Sequence, residues 1–458
     1  MHGKSASGQN AITEGVIWKQ ILFFFYPILL GSLFQQLYNM VDTIVIGKGV
    51  GTEGLAAVGS TGSLISLVLG LFVGLASGAS VVLAQYYGAG LDEKVSKTVH
   101  TAIAMALISG AALTVFGIVT SRPLLVLMDI PDEILDDAAL YMQVYYAGVT
   151  GNVLYNIETG LLRAIGDTRR PLYALIVSTV INVVLDLLFV MVFHWGVFGV
   201  AFATIISQLA SALILLWILM RAKDSYRLEF RKLRIHGRIL REIIRIGVPS
   251  GVEGVVYSIS NVLIQTNVNR LGTVVVAAWS AISRVDIVMW MVMQAYGIAV
   301  STFVGQNFGA GKYDRVKRCG RTGLLMTMGS IAAISAAIYA FCPFLLSLFT
   351  NDQAVILQGT EFLRVLAPSY CLFVFIEVFS SSARGAGEAL QPMLFSILGI
   401  CGIRVVYLTL ILPPVRTARM IAWSYPISWV ITAVIFIIYY YRYGWLKRSI
   451  RHRELSVE

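Results

Sequence analysis

Asp42, Asn182, Asp186 and Thr204 are polar side chains set within long stretches of otherwise apolar sequence. An ionisable group at membrane depth costs at least about 2.5 kcal/mol, so it persists mainly where it meets a cavity or a partner. Asp42 lies about five residues before the outer end of the first apolar stretch, and Asp186 about seven before that of the fifth, with Asn182 one turn earlier. Thr204 is about seven residues into the sixth. At about 1.5 Å per residue, Asp42, Asp186 and Thr204 sit roughly 7 to 11 Å below the outer surface, with Asn182 one turn deeper. Equal depth on three helices permits one site. Two carboxylates, an amide and a hydroxyl make an oxygen-rich set suited to a proton or Na⁺, since nearby carboxylates strengthen one another's hold on positive charge. The same residues have a plainer use, hydrogen bonding to neighbouring backbone, and for Thr204 the two readings are evenly matched.

The second half of the chain carries different charges. The position equivalent to Asp186 is Tyr407, and near that of Asp42 stand Leu263 and Ile264, so the cluster is not repeated. Glu253 follows Pro249 by four residues and has no nearby partner in sequence, which suits a cavity residue. Asp286 lies beside Arg284, with mutual neutralisation and a cavity role both open, and Glu377 fits either a cavity or an inner gate. Met289, Met293 and Tyr296 share one helical face, either a flexible apolar surface for binding or ordinary packing. Glu253, Asp286, Met289, Met293 and Tyr296 are the candidate substrate-cavity residues.

The elements that position these residues must be membrane helices. With 57% hydrophobic and 13% charged residues, and a mean hydropathy of +0.77, the 458-residue chain is too apolar to cover itself in water. Twelve spans fit: 18–47, 54–87, 97–120, 134–161, 171–193 and 197–220, then 243–269, 274–308, 321–341, 354–382, 392–412 and 420–441. Spans of about 20 residues suit helices, whereas barrel strands are about half that and alternate. Of the 35 Lys and Arg, 27, including Lys4, fall on the side of the N-terminus. Six fall opposite (Lys48, Arg122, Arg270, Arg364, Arg416, Arg419), and Arg284 and Arg404 lie inside spans. Both termini are therefore expected in the cytoplasm, with the chain crossing the inner (cytoplasmic) membrane. The same topological bias accounts for the net charge of +10 without a nucleic-acid partner. The polar segment 1–13 gives no sign of a cleavable signal peptide. Cys319, Cys342, Cys371 and Cys401 lack metal-type spacing and read as reduced core residues, so no cofactor is expected.

LAQYYGAGLDEKV (83–95) matches VGQNFGAGKYDRV (304–316), and Arg163, Gly166, Asp167 and Pro171 recur at the same offset as Arg384, Gly387, Glu388 and Pro392. Two motifs in one register make the chain two related halves. The expected organisation is an all-α integral membrane protein of twelve transmembrane helices in two six-helix lobes, 1–220 and 243–458. They are joined by a basic cytoplasmic linker, 221–242, and related by a pseudo-two-fold axis along the membrane normal. A cavity between the lobes follows from that organisation. GVGTEG (49–54) has no strand before it, and GAGKY (309–313) lacks the phosphate-loop Ser or Thr, so neither marks a nucleotide site. G-x-S-x-G and H-E-x-x-H are absent, and no enzyme is expected. Pro27 and Pro249 hold equivalent places early in each half, where a kink is expected.

From 14 to 441 the chain resembles the multidrug and toxic compound extrusion (MATE) family. The resemblance rests on QQLYNMVDTIVIG around Asp42, QYYGAG and QNFGAG, LLRAIGDTRRP and SSARGAGEALQP, NVVLD, and GVFGVAFATIISQ. It implies a V-shaped pair of six-helix lobes, alternating access, and export of cationic amphipathic drugs in exchange for H⁺ or Na⁺. It also implies a cation site at Asp42, Asn182, Asp186 and Thr204, with Na⁺, where used, at Asp42 and Asp186. A seventh-span acidic residue of some branches corresponds to Glu253. Glu377 does not match the tenth-span acidic position cleanly, which leaves a second cation site unassigned. The working unit is expected to be a monomer in the bilayer. The rival reading, a lipid-linked oligosaccharide flippase of the same superfamily, needs a cavity rich in Arg and Lys, and the spans offer only Arg284 and Arg404.

Overall fold

The computed structural model describes residues 12–411, 417–442 and 444–457. Lys4, Arg416, most of the polar segment 1–13 and the last residue of the eleventh span lie outside the described residues. Among the described residues there are helices and no strands. The first half comprises α1 (Ile17–Gly49), α2 (Thr52–Gly88), α3 (Asp92–Leu127), α4 (Asp132–Ala147), α5 (Val149–Ala164), α6 (Arg169–Asp186) and α7 (Gly196–Arg221). The second comprises α8 (Gly237–Asn269), α9 (Thr273–Gly309), α10 (Tyr313–Ser347), α11 (Gln353–Gly385), α12 (Leu390–Ser396), α13 (Ile403–Val406), α14 (Ala418–Arg442) and α15 (Trp445–Val457). Ten of the described spans are long and apolar enough to cross a membrane. The pair α4 and α5 forms an eleventh, and α8, whose first turns carry Arg238, Arg241, Glu242 and Arg245, a twelfth.

The repeated motifs are helix stops. Gly90 and Gly311, the last glycines of the two GAG segments, take φ of +68° and +72°. Leu91 N–H then reaches Tyr86 O at 3.1 Å, and Lys312 N–H reaches Asn307 O at 2.9 Å, closing the last turns of α2 and α9. Gly166 and Gly387 do the same after α5 and α11, at φ +99° and +92°. Asp167 Oδ1 accepts from the N–H groups of Arg169 and Arg170, both at 3.1 Å, and so starts α6. The halves differ at their fourth span. The first is interrupted at Gly148, where a Cβ would lie 2.4 Å from Ile205, whereas α11 is one unbroken helix containing Pro368.

The chain divides into two compact units, and their boundaries fall inside α1 and α8. One unit is Tyr26–Gly251; the other joins Met1–Phe25 to Val252–Glu458. The first turns of each half's leading helix thus pack with the other half's residues. In the second unit, Phe25 stacks on Tyr296 with ring centres 4.1 Å apart, and Lys312 Nζ donates to Thr13 O at 3.0 Å. In the Tyr26–Gly251 unit, α8 lies against α2 through glycines. A Cβ on Gly74 would come 2.3 Å from Gly251 N, and one on Gly78 2.4 Å from Ile243 O. Both helices remain continuous through Pro27 and Pro249, without non-helical residues there.

The basic segment after α7 is more than a tether. Tyr226 and Leu228 are buried, Glu229 N–H donates to His100 Nε2 at 3.1 Å, and His236 N–H donates to Thr101 Oγ1 at 3.2 Å. Lys232 beside Glu229 holds that carboxyl below the usual carboxylate range. From Gly237 onward the expected linker is already α8, since nothing in its sequence stops a helix. Exposed Phe23, Val115, Phe116, Val119, Val180 and Leu213 show an outer surface made for hydrocarbon.

Candidate functional site

Within the Tyr26–Gly251 unit, α1, α6 and α7 bring the four predicted residues together. Asn182 and Asp186 are 0% exposed and Thr204 3% exposed, with Asp42 half-buried. Asp42 lies within interaction range of both Asp186 and Asn182. No well-formed hydrogen bond joins them: Asp42 Oδ1, both Asp186 carboxylate oxygens and both amide atoms of Asn182 are buried without one. Two acids facing each other without a well-formed hydrogen bond are a poor structural pair and a good receiver for a positive charge. Thr204 is the weaker member, because its hydroxyl donates to Val200 O at 3.0 Å.

The backbone helps set this geometry. Directly after Asp186 the helix widens into a π-helical stretch, Leu187–Val192, of the kind often found at functional sites. The second half keeps the device, with π-helical Tyr407–Ile411, but puts Tyr407 where the acid would be. The Tyr407 hydroxyl donates to Met420 O at 3.0 Å, so that site has become a helix tie.

Sequence reasoning missed Tyr38, Tyr141, Tyr145 and Gln208. Tyr38 approaches Thr204 and Asp42, Tyr141 faces both aspartates, and Tyr145 comes within reach of Gln208. Tyr38 and Gln208 were findable, one turn from Asp42 and Thr204 respectively. The two α4 tyrosines gave no signal, because nothing in their own sequence says which helix faces them.

The second unit corrects one expectation and sharpens others. Arg284 is exposed and forms no ion pair with Asp286, which instead accepts a hydrogen bond from the Tyr370 hydroxyl. Two residues of α9 amount to about half a turn, which points the two side chains apart, and Tyr370 of α11 supplies the partner that sequence distance hid. Glu253 does have a partner: its carboxylate lies 3.9 Å from Arg384, which also donates to Ser380 at 3.2 Å. Glu377 accepts from Ser381 at 3.2 Å and lies over Gly297. Met289, Met293 and Tyr296 are at most 3% exposed and packed in their own unit, with the Tyr296 hydroxyl 3.0 Å from Ser330 Oγ. They form a packed stripe here, and no open surface is present along it.

Among the described residues no group of three or more His, Cys, Asp or Glu is placed to hold a metal ion. The oxygen set at Asp42 and Asp186 fits a single proton or monovalent cation as cargo.

A family model described as MatE matches residues 27–188 and 249–410, one match in each half. The probable multidrug resistance protein YoeA of Bacillus subtilis is 30% identical over 95% of this chain and 95% of its own. A MATE structure in the bent conformation superposes with a TM-score of 0.90 at 23% identity, covering 99% of this chain and 100% of the other. A structure from Pyrococcus furiosus, described as a MOP superfamily transporter with reversed binding-pocket polarity, gives 0.88 at 24% identity over 98% and 99%. These structures share the fold, twelve membrane helices in two lobes.

Proposed function

Since this chain belongs to the MATE family of membrane transporters, we propose that it is a secondary active antiporter that exports cationic amphipathic compounds in exchange for H⁺ or Na⁺ by alternating access. The observation that carries the reading is the facing of Asp42 and Asp186 from two helices of one unit, with Asp42 Oδ1 and both Asp186 oxygens buried and without a hydrogen bond. Competition for charge provides the coupling. With the pair empty, an organic cation is held; when H⁺ or Na⁺ enters from outside, the pair is neutralised and the drug is released outward. An ion drives the cycle only by as much as its affinity differs between the two states. Glu253 and Asp286 supply negative charge toward the drug, and Met289, Met293 and Tyr296 supply apolar surface once the packing of α9 opens. Placement in the cytoplasmic membrane with both termini inside, and action as a monomer, belong to the same proposal.

Proteoliposomes test it directly. Uptake of a fluorescent organic cation is measured under separately imposed pH and Na⁺ gradients. One gradient should drive uptake in the wild type, and Asp42→Asn should lower the driven rate by about 100-fold. Full-rate driven transport by Asp42→Asn would refute the assignment. The flippase reading is less well supported, because Arg404, the one buried Arg in the spans, sits over the Tyr425 ring at 4.2 Å. Binding of lipid pyrophosphate sugars without cation flux would favour that rival.

A further inference from the structure

The Tyr26–Gly251 unit contains, among the described residues, one more fully buried acid, which the antiport reading leaves unused. Glu158 on α5 is 0% exposed, and neither of its carboxylate oxygens has a hydrogen-bond partner. Its depth follows from the packing of α5 on α7. A Cβ at Gly148 would meet Ile205 and one at Gly151 would meet Leu209, so the two helices run in step. Seven residues beyond Gly151, on the same face, Glu158 lies about 10 Å further along. That puts it one turn past Ser211 and six residues before the end of α5 at Ala164. On the expected topology this is the cytoplasmic half of the membrane, below the aspartate pair.

Between the two levels α7 carries buried hydroxyls. Thr204, Ser207 and Ser211 follow one another on one face. Ser207 Oγ donates to Thr204 O and Ser211 Oγ to Gln208 O, both at 2.8 Å. Charged groups on α2, α3 and α7 are engaged elsewhere, whereas Arg163 on α5 has a buried Nε without a partner. On α3, Lys97 pairs with Glu93, Lys94 lies over the Tyr86 ring at 5.1 Å, and His100 meets Glu229. On α2, Tyr86 donates to Glu242, and on α7, Arg221 lies over Trp217 at 4.6 Å. On α5 itself, Tyr155 is the titratable group recorded as sensing Glu158, while Arg163 senses Tyr155.

Resting on the antiport reading, we propose that Glu158 is an inner proton-binding residue, which receives the proton taken up at Asp42 and Asp186 and releases it to the cytoplasm. A bare carboxylate in this packing would be left without a hydrogen-bond partner on either oxygen, which makes the group a receiver for a proton. A small metal cation needs several oxygens at once, and among the described residues Glu158 belongs to no group of three or more His, Cys, Asp or Glu that could supply them. The exchange balances. Glu158 first loses its proton to cytoplasmic water, then an O–H bond on the aspartate pair breaks as one forms on Glu158. One proton moves inward, and no oxidant or reductant is involved.

The test compares full-length wild type, Glu158→Gln and Asp42→Asn in lipid nanodiscs by infrared spectroscopy, and in proteoliposomes with ethidium under a pH gradient. Glu158→Gln should lack one protonated-carboxyl band that wild type and Asp42→Asn retain. Its pH-driven ethidium exchange should fall about tenfold or more. An unchanged set of carboxyl bands, or exchange at the wild-type rate, overturns the proposal. Should Glu158→Gln fail to fold, Glu158→Asp must shift the same band, and an unshifted band overturns it equally. Failure of the antiport reading shows differently: wild-type vesicles respond to neither gradient, while the infrared band still judges Glu158.

Discussion

Four residues would do unequal work at the proposed cation site. On the antiport proposal Asp42 and Asp186 are the groups whose charge changes, so each single amide substitution removes the capacity to exchange. Thr204 already donates to Val200 O and contributes an oxygen lone pair at most. We therefore expect Asp186→Asn to abolish gradient-driven transport, and Thr204→Ala to lower it only about threefold, since one neutral hydrogen bond contributes about 1 kcal/mol. Initial rates in the same vesicles check both, and equal losses would show Thr204 to be a principal ligand. The second-half acids differ because each is paired: Asp286 with Tyr370, Glu253 with Arg384, Glu377 with Ser381. Tyr370→Phe leaves Asp286 without that bond, and drug affinity should shift more than ion-driven rate.

Glycines govern how the helices end and how closely they meet. Gly90 and Gly311 hold positive φ in equivalent turns, so alanine at either should cost about 1 kcal/mol of stability. A lowered unfolding temperature with unchanged ion selectivity is the outcome expected. Gly74 and Gly78 have backbone against them from α8, and no flexible side chain is there to move aside. Gly78→Leu must push α2 and α8 apart and should lose folded yield far more than Gly90→Ala. Equal yields would mean that the glycine contact is dispensable. The π-helical stretches after Asp186 and at Tyr407 show that a backbone device survives in both halves while its side-chain chemistry diverges.

The whole molecule is a duplicated chain whose halves share turns, while the Asp42 and Asp186 acids of the first half are not repeated in the second. Its topology is testable by single cysteines introduced in a background lacking Cys319, Cys342, Cys371 and Cys401. An impermeant maleimide applied to intact cells should label Leu271→Cys and leave Lys94→Cys unlabelled; the reverse pattern would invert the orientation proposed for the chain. Much of this fold was legible in the residue order because hydropathy and turn chemistry are local. Apolar runs located the spans, while the helices run up to eight residues beyond them, as in α10, which covers 313–347 against the expected 321–341; the two GAG segments marked equivalent places in the halves. The cluster proposed as the cation site was legible for a related reason: an acid inside an apolar run is conspicuous, and counting from the ends gives its depth. Three-dimensional packing alone decided what faces what. Tyr370 meets Asp286 across 84 residues, α4 brings Tyr141 to the aspartates, and the first turns of α1 and α8 pack with the other half. Helix crossings fix those pairings, and a crossing depends on two remote surfaces at once, which no single stretch of sequence contains.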